Sequence, residues 1–116
     1  PQVVYKVAYN PWGLRANKSE TMVTDKVKET GYTEDIIAKV VSHTQNDHVI
    51  SIERADNQDT PSISVISNVK DKLENFCRPQ KLPITLIADI HTGNVRKING
   101  KWVAIDYGDV ERSYAV

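Results

Sequence analysis

The chain has 116 residues, of which 40% are hydrophobic and 26% are charged, and its fifteen basic side chains balance fifteen acidic ones. This length and composition predict one soluble globular domain over residues 1–116 and disfavour a wholly disordered chain. The apolar runs are too short for a transmembrane helix, and the neutral charge disfavours non-specific binding to nucleic acid.

The first third of the chain predicts a strand followed by a helix. Residues 3–9 are rich in β-branched and aromatic side chains, which favours a strand. Residues 10–13, Asn-Pro-Trp-Gly, predict a break, because proline and glycine interrupt regular structure. Ser19 is then a candidate N-cap for a helix that ends before Gly31. Trp12 would lie in a loop, where it either anchors a partner or closes one end of the core.

The next segment is ambiguous between helix and strand. Thr33 is a candidate N-cap, and Glu34 and Asp35 place acids in the first turn of a helix. These signals favour a helix over residues 36–42. A strand is the alternative, because β-branched side chains dominate that stretch.

A strand and a helix are predicted next along the chain. Residues 48–54 alternate apolar and polar side chains as a strand does. Residues 62–66 predict a strand or a loose turn, and the apolar spacing beyond them predicts a helix from about Ser67 to Cys77. Cys77 is the single cysteine, which excludes an intramolecular disulfide and favours the cytoplasm over secretion. We expect its thiol to pack as a small buried hydrophobic group.

The last third of the chain predicts an antiparallel meander. Residues 84–91 read as a strand, and Asn99-Gly100 is the dipeptide that best suits a type I′ turn. That turn joins residues 95–98 to residues 101–107, and a further strand is expected over residues 110–116. The turn also sets the register of the hairpin, so that Lys97 lies opposite Trp102.

Together these elements predict an α+β fold. We expect one antiparallel, or mixed, sheet with two or three helices packed on one face and a C-terminal β-meander. The side chains expected in the core are apolar and fall on the inward positions of these elements: Val4, Val27, Ile37, Val40, Ile50, Ile52, Leu73, Phe76, Ile84, Leu86, Ile90, Val103 and Ile105.

Asp89 and His91 lie two residues apart on a predicted strand and therefore share one face of it. They are either part of a solvated outer face or an acid/base pair. With Lys97 and Asp106 they would supply what a small metal-independent ribonuclease of the toxin type requires, an acid/base pair and a cation for the phosphate.

Pro1 supports a different hypothesis. In the tautomerase superfamily an N-terminal proline is the general base, because burial brings the pKa of its amine towards neutrality. The predicted order of elements is compatible with that superfamily if residues 36–42 form a strand. Arg15, Arg54 and Arg96 would then bind a carboxylate substrate.

The leading hypothesis is a small binding or regulatory domain that acts through a protein partner. The sequence contains no phosphate-binding glycine loop, nucleotide fingerprint or zinc-ligand spacing, so we expect no cofactor and no metal. The expected contact residues are Trp12, Arg15, Lys97 and Trp102. A lysine beside a tryptophan can stack on a peptide side chain or an RNA base, or it can simply stabilise the hairpin. The oligomeric state is left open.

Overall fold

The chain forms an α+β fold in the computed structural model, which describes residues 2–56, 59–82 and 92–107. These residues contain two α-helices and two antiparallel sheets, of three strands and two strands, so the prediction of a single sheet is wrong. The elements follow in the order β1 (Val3–Val7), α1 (Pro11–Thr30), β2 (Val40–His43), β3 (Val49–Glu53), α2 (Ile63–Cys77), β4 (Val95–Ile98) and β5 (Lys101–Ala104).

Helix α1 begins well before the predicted N-cap Ser19. The side-chain oxygen of Asn10 accepts a hydrogen bond from the Gly13 nitrogen at 2.8 Å, which makes Asn10 the N-cap. Pro11 occupies the first helical position, where a missing N–H leaves nothing unsatisfied. Residues 10–13 therefore start a helix, and Trp12 lies in its first turn instead of in a loop. The predicted end is confirmed, because Gly31 adopts the left-handed conformation with φ of 66°.

Residues 36–42 do not form the predicted helix. The strand alternative is correct for residues 40–42, which belong to β2, whereas residues 36–39 form only an isolated bridge. Ile37 pairs in parallel with Ala104 of β5, and β2 pairs antiparallel with β3. Val41 is 51% exposed, whereas the other apolar side chains of this stretch are buried in the core: Ile36, Ile37, Ala38 and Val40. Their burial against two sheets outweighs the local helix-start signals, because β-branched side chains pack well on a pleated surface. The segment joins the three-stranded sheet to the hairpin.

Helix α2 also begins earlier than predicted. Ser62 is its N-cap and accepts a hydrogen bond from the Val65 nitrogen at 3.3 Å, so residues 63–66 are helical and not extended. The predicted end at Cys77 is confirmed, and so is the strand over residues 48–54, which is β3.

The hairpin of β4 and β5 has the predicted turn and register. Lys97 lies opposite Trp102, and Ile98 lies opposite Lys101. Asn99 and Gly100 have φ angles of 53° and 76°, as a type I′ turn requires. Strand β5 ends at Ala104, short of the predicted Tyr107. The other predicted strands of the meander, residues 84–91 and 110–116, lie outside the described residues.

The core gathers side chains from both helices and both sheets into one cluster. Tyr107 is fully buried within it, and its hydroxyl donates a hydrogen bond to the Ala38 oxygen at 2.8 Å. Val4 is a wrong core prediction, because it faces an open cavity and is 43% exposed. Ile84, Leu86 and Ile90 lie outside the described residues. The remaining predictions are buried or packed against the cluster: Val27, Ile37, Val40, Ile50, Ile52, Leu73, Phe76, Val103 and Ile105.

Candidate binding surfaces

Exposed aromatic and apolar side chains are concentrated on β1 and the residues that follow it. Eight large hydrophobic side chains are exposed in the described part of the chain, and five of them lie between Val4 and Trp12. Tyr5 and Val7 alternate with Lys6 along the strand, so they point away from the face that packs on the core. Tyr5 is 69% exposed, Val7 46%, and Tyr9, two residues further on, 89%. We call Tyr5, Val7 and Tyr9 the β1 face.

The outer side of α1 carries the first two predicted contact residues. Trp12 and Arg15 are exposed there together with Lys18, one turn further along the helix. Neither Arg15 nor Lys18 forms a side-chain hydrogen bond or ion pair with a residue that the structure describes. The first acidic residue of the chain is Glu20, so this end of the helix presents an aromatic ring beside two cations.

The other two predicted contact residues meet on the hairpin. The Lys97 ammonium lies 5.0 Å from the centroid of the Trp102 ring and 3.9 Å from Asp59 Oδ2. Trp102 also forms one wall of a cleft of about 590 Å³ between α2 and the hairpin. Val65 and Val69 of α2 line this hairpin cleft beside it. The structure thus pairs Lys97 with Trp102 within the chain, as the register predicts, and no described contact joins this pair to Trp12 or Arg15.

Asp106 lines a second cavity, of about 480 Å³. Its Oδ1 is 2.5 Å from the ammonium of Lys6. The same ammonium lies 2.9 Å from both carboxylate oxygens of Glu20, whose side chain is fully buried in α1. We call this space the Lys6 cavity.

The charge on Lys6 follows from these contacts. Burial by itself lowers the pKa of a lysine, because it disfavours the charged form. The carboxylates of Glu20 and Asp106 outweigh that effect, so the pKa of Lys6 is raised above its ordinary value and the ammonium stays protonated. Lys6 therefore acts as a fixed cation in this cavity and not as a general base.

The predicted catalytic residues are only partly placed by the described residues. Asp89 and His91 lie outside them, and so does Pro1. Asp106 contacts Lys6, whereas Lys97 contacts Trp102 and Asp59, and no hydrogen bond or ion pair joins Asp106 to Lys97 among the described contacts. The ribonuclease and isomerase hypotheses stay predictions.

The predicted carboxylate-binding arginines divide between two places. Arg54 and Arg96 both line the Lys6 cavity, whereas Arg15 lies on α1. Neither Lys6 nor Glu20 is among the site residues predicted from the sequence. A signal for Glu20 was present, because it shares one helix face with Ala16, Val23 and Val27, all buried. An acidic residue on an apolar helix face indicates a buried ion pair.

The described part of the chain contains Cys77 and two of the three histidines, His43 and His48. Burial raises the pKa of the Cys77 thiol to about 11, so the thiol stays protonated and packs in the core as expected. His43 Nδ1 lies 2.8 Å from Asp47 Oδ1 at the turn between β2 and β3. Across residues 2–56, 59–82 and 92–107, no three His, Cys, Asp or Glu side chains converge as a metal ion would require.

Neither helix of the described structure is long and apolar enough to cross a membrane. Comparison of the chain with known protein families, with curated proteins and with solved structures finds no match.

Proposed function

We propose that this chain is a small binding domain that acts by docking a protein partner on the β1 face. The observation that carries the proposal is the exposure of Tyr5, Val7 and Tyr9, three large side chains at alternating positions. Leaving such a strip in water costs free energy that burial against a partner recovers. Concentrated apolar patches of this kind mark interaction sites on soluble proteins.

The types of side chain on the β1 face favour a protein as the ligand. Tyrosine combines a large rigid apolar ring with a hydroxyl, which is why it is enriched among the residues that dominate binding energy. Val7 lies between the two tyrosines and contributes no charge. The partner surface that fits this face is apolar at its centre and offers hydrogen-bond groups to the two hydroxyls.

Quantitative affinity capture from the native cells tests the proposal. The wild-type chain is compared with the triple variant Tyr5→Ser, Val7→Ser, Tyr9→Ser. The variant Ile63→Ser is the matched control, because Ile63 is also highly exposed, at 86%, but lies at the start of α2. We expect a protein that the wild type and the control retain and the triple variant loses.

The interaction is then measured with both proteins purified. Tyr5→Ser alone should weaken binding by about 2 kcal/mol, or roughly 30-fold in Kd, as the loss of an interfacial tyrosine does. The variant Trp102→Ala tests the other predicted surface. If it abolishes binding while the triple variant binds normally, the contact surface is the hairpin cleft and the β1 face is the wrong assignment. If no protein distinguishes the variants, the proposed function fails.

A second candidate function is binding of single-stranded RNA by the outer side of α1. The observation that favours it is Trp12 beside Arg15 and Lys18, which lack ion-pair partners among the described residues. Proteins bind single strands by stacking bases on aromatic rings next to cations. A backbone-amide NMR titration with a short mixed-sequence RNA at low salt should shift resonances around Trp12, and Trp12→Ala should remove the shifts. An unchanged spectrum refutes this candidate.

A further inference from the structure

We propose that the Lys6 cavity binds a small anion, a carboxylate or a phosphate, which displaces Asp106 from the ammonium of Lys6. The proposal is independent of the β1 face. It rests on the unequal carboxylates around Lys6, on the other cations of the cavity and on the conformation of Asp106.

The two carboxylates that contact Lys6 differ in how firmly they are held. Glu20 is fully buried and places both oxygens 2.9 Å from the ammonium, so it is a permanent partner. Asp106 lies on the opening side, where its side chain is 44% exposed. A half-exposed ion pair contributes little stability, because water screens it. An external anion can therefore replace Asp106 at small cost.

The other two acidic side chains of the cavity are engaged with backbone groups. Glu53 Oε1 accepts a hydrogen bond from the Lys39 nitrogen at 2.8 Å. Asp56 Oδ2 accepts one from the Gly100 nitrogen at 3.1 Å. These bonds tie β3 and the following loop to neighbouring segments. Among the three acidic side chains that line the cavity, Asp106 thus differs from Glu53 and Asp56. Its described side-chain contact is the ion pair with Lys6, with no hydrogen bond from the backbone.

Two further cations line the same cavity. Arg54 is exposed and forms no side-chain hydrogen bond or ion pair with a described residue. Arg96 is half-buried on β4, and its Nη1 donates to the Val95 oxygen at 2.8 Å, which holds the guanidinium in place. Guanidinium groups match the geometry of carboxylate and phosphate oxygens. With Lys6, they bring three cationic side chains into the lining of the cavity that also contains Asp106.

The size and walls of the cavity suit a small organic anion. Its volume of about 480 Å³ lies within the range of roughly 300–1,000 Å³ for small-molecule sites. Val4, Ile52 and Ile105 provide apolar wall surface for a carbon skeleton. The site therefore combines charge recognition with space for the rest of the ligand.

Asp106 itself allows a clean test of displacement. Its φ angle is 53°, in the left-handed region that Asp and Asn tolerate best among residues with a side chain. Asp106→Asn therefore removes the competing charge and keeps the shape and the backbone. If Asp106 occupies the site of the ligand, this variant binds anions more tightly than the wild type. A residue with a purely structural role would not give that gain.

Isothermal titration calorimetry and NMR with two probes, inorganic phosphate and succinate, test the proposal. We expect Asp106→Asn to tighten binding by about fivefold, as the removal of a half-exposed internal pair implies. Arg54→Ala should weaken it by about tenfold, because a charge-assisted hydrogen bond is lost. Lys72→Ala is the control, since Lys72 lines the hairpin cleft and should leave binding unchanged.

The outcomes separate the two anion classes and can overturn the proposal. Binding of succinate alone assigns a carboxylate ligand, and binding of phosphate alone assigns a phosphate. In either case NMR shifts should map to Gly93 and Arg96, which line the cavity. The proposal is wrong if neither probe binds to Asp106→Asn, or if that variant binds no more tightly than the wild type.

Discussion

Replacing Glu20 by glutamine should destabilise the fold by about 3 kcal/mol. The carboxylate of Glu20 is fully buried and binds the ammonium of Lys6 through both oxygens. Glutamine keeps the shape of the side chain but removes the negative charge. The ammonium, whose side chain is only 23% exposed, then loses its buried counter-charge.

The magnitude follows from what remains around Lys6. Removing one partner of a buried ion pair costs about 3–5 kcal/mol, because the other charge is left uncompensated. Asp106 still contacts the ammonium at 2.5 Å, and the glutamine oxygen can accept one hydrogen bond. Both contacts place the cost at the lower end of that range. A folded chain of 116 residues has a total stability of roughly 6–17 kcal/mol, so the variant should still fold.

Urea unfolding followed by far-UV circular dichroism measures the effect. The matched control is Glu29→Gln, because Glu29 lies on the same helix in an exposed pair with Lys26 at 3.2 Å. That control should cost less than about 0.5 kcal/mol. The double variant Lys6→Met, Glu20→Leu replaces both charges by apolar groups and should recover most of the lost stability.

The reasoning would be refuted by two results. The first is a cost for Glu20→Gln no larger than that of the exposed control Glu29→Gln. The second is a double variant that is less stable than Glu20→Gln alone. Either result would mean that the Glu20 carboxylate does not compensate the buried charge of Lys6 in solution.

Three further predictions concern stability. Tyr107→Phe should cost about 1–2 kcal/mol, because it removes the hydrogen bond to the Ala38 oxygen. Burial raises the pKa of Tyr107 well above its ordinary value of 10.0, so its neutral form stabilises the fold fully below pH 10 and progressively less above it. Circular dichroism across that range should therefore show less alkaline destabilisation in Tyr107→Phe. Gly100→Ala should lower the free energy of unfolding in urea by about 1–2 kcal/mol, because its φ is 76°. Asn10→Ala should cost about 1 kcal/mol in the same assay, and an unchanged value would argue against its role as the N-cap.

Features with short-range causes were predictable from the sequence. Asn99-Gly100 specifies a type I′ turn, and the turn sets which residues of the hairpin face each other. Gly31 ends α1 because a residue without a side chain adopts the left-handed conformation at low cost. Each of these features depends on one or two neighbouring residues, so a local pattern is sufficient to identify it.

Two helix starts were misplaced because one pattern supports two structures. Asn10-Pro11 is compatible with a break and with a capped helix whose first residue is proline. Ser62 likewise follows a proline and precedes residues that alternate like a strand, yet it caps α2. Local sequence leaves both readings open in each case. The packing of α1 and α2 against the core selects the helical one.

By itself, the sequence determined the α+β class, the hairpin and its register, and most of the core side chains. The tertiary structure decided that residues 36–42 join two sheets, because only there do their β-branched side chains find partners. The tertiary structure also decided which charged side chains meet at the Lys6 cavity. Lys6 and Glu20 are 14 positions apart, and Asp106 comes from the other end of the chain. No local pattern links these three residues, and packing alone brings their charges together, since a buried charge requires a partner wherever the fold supplies one.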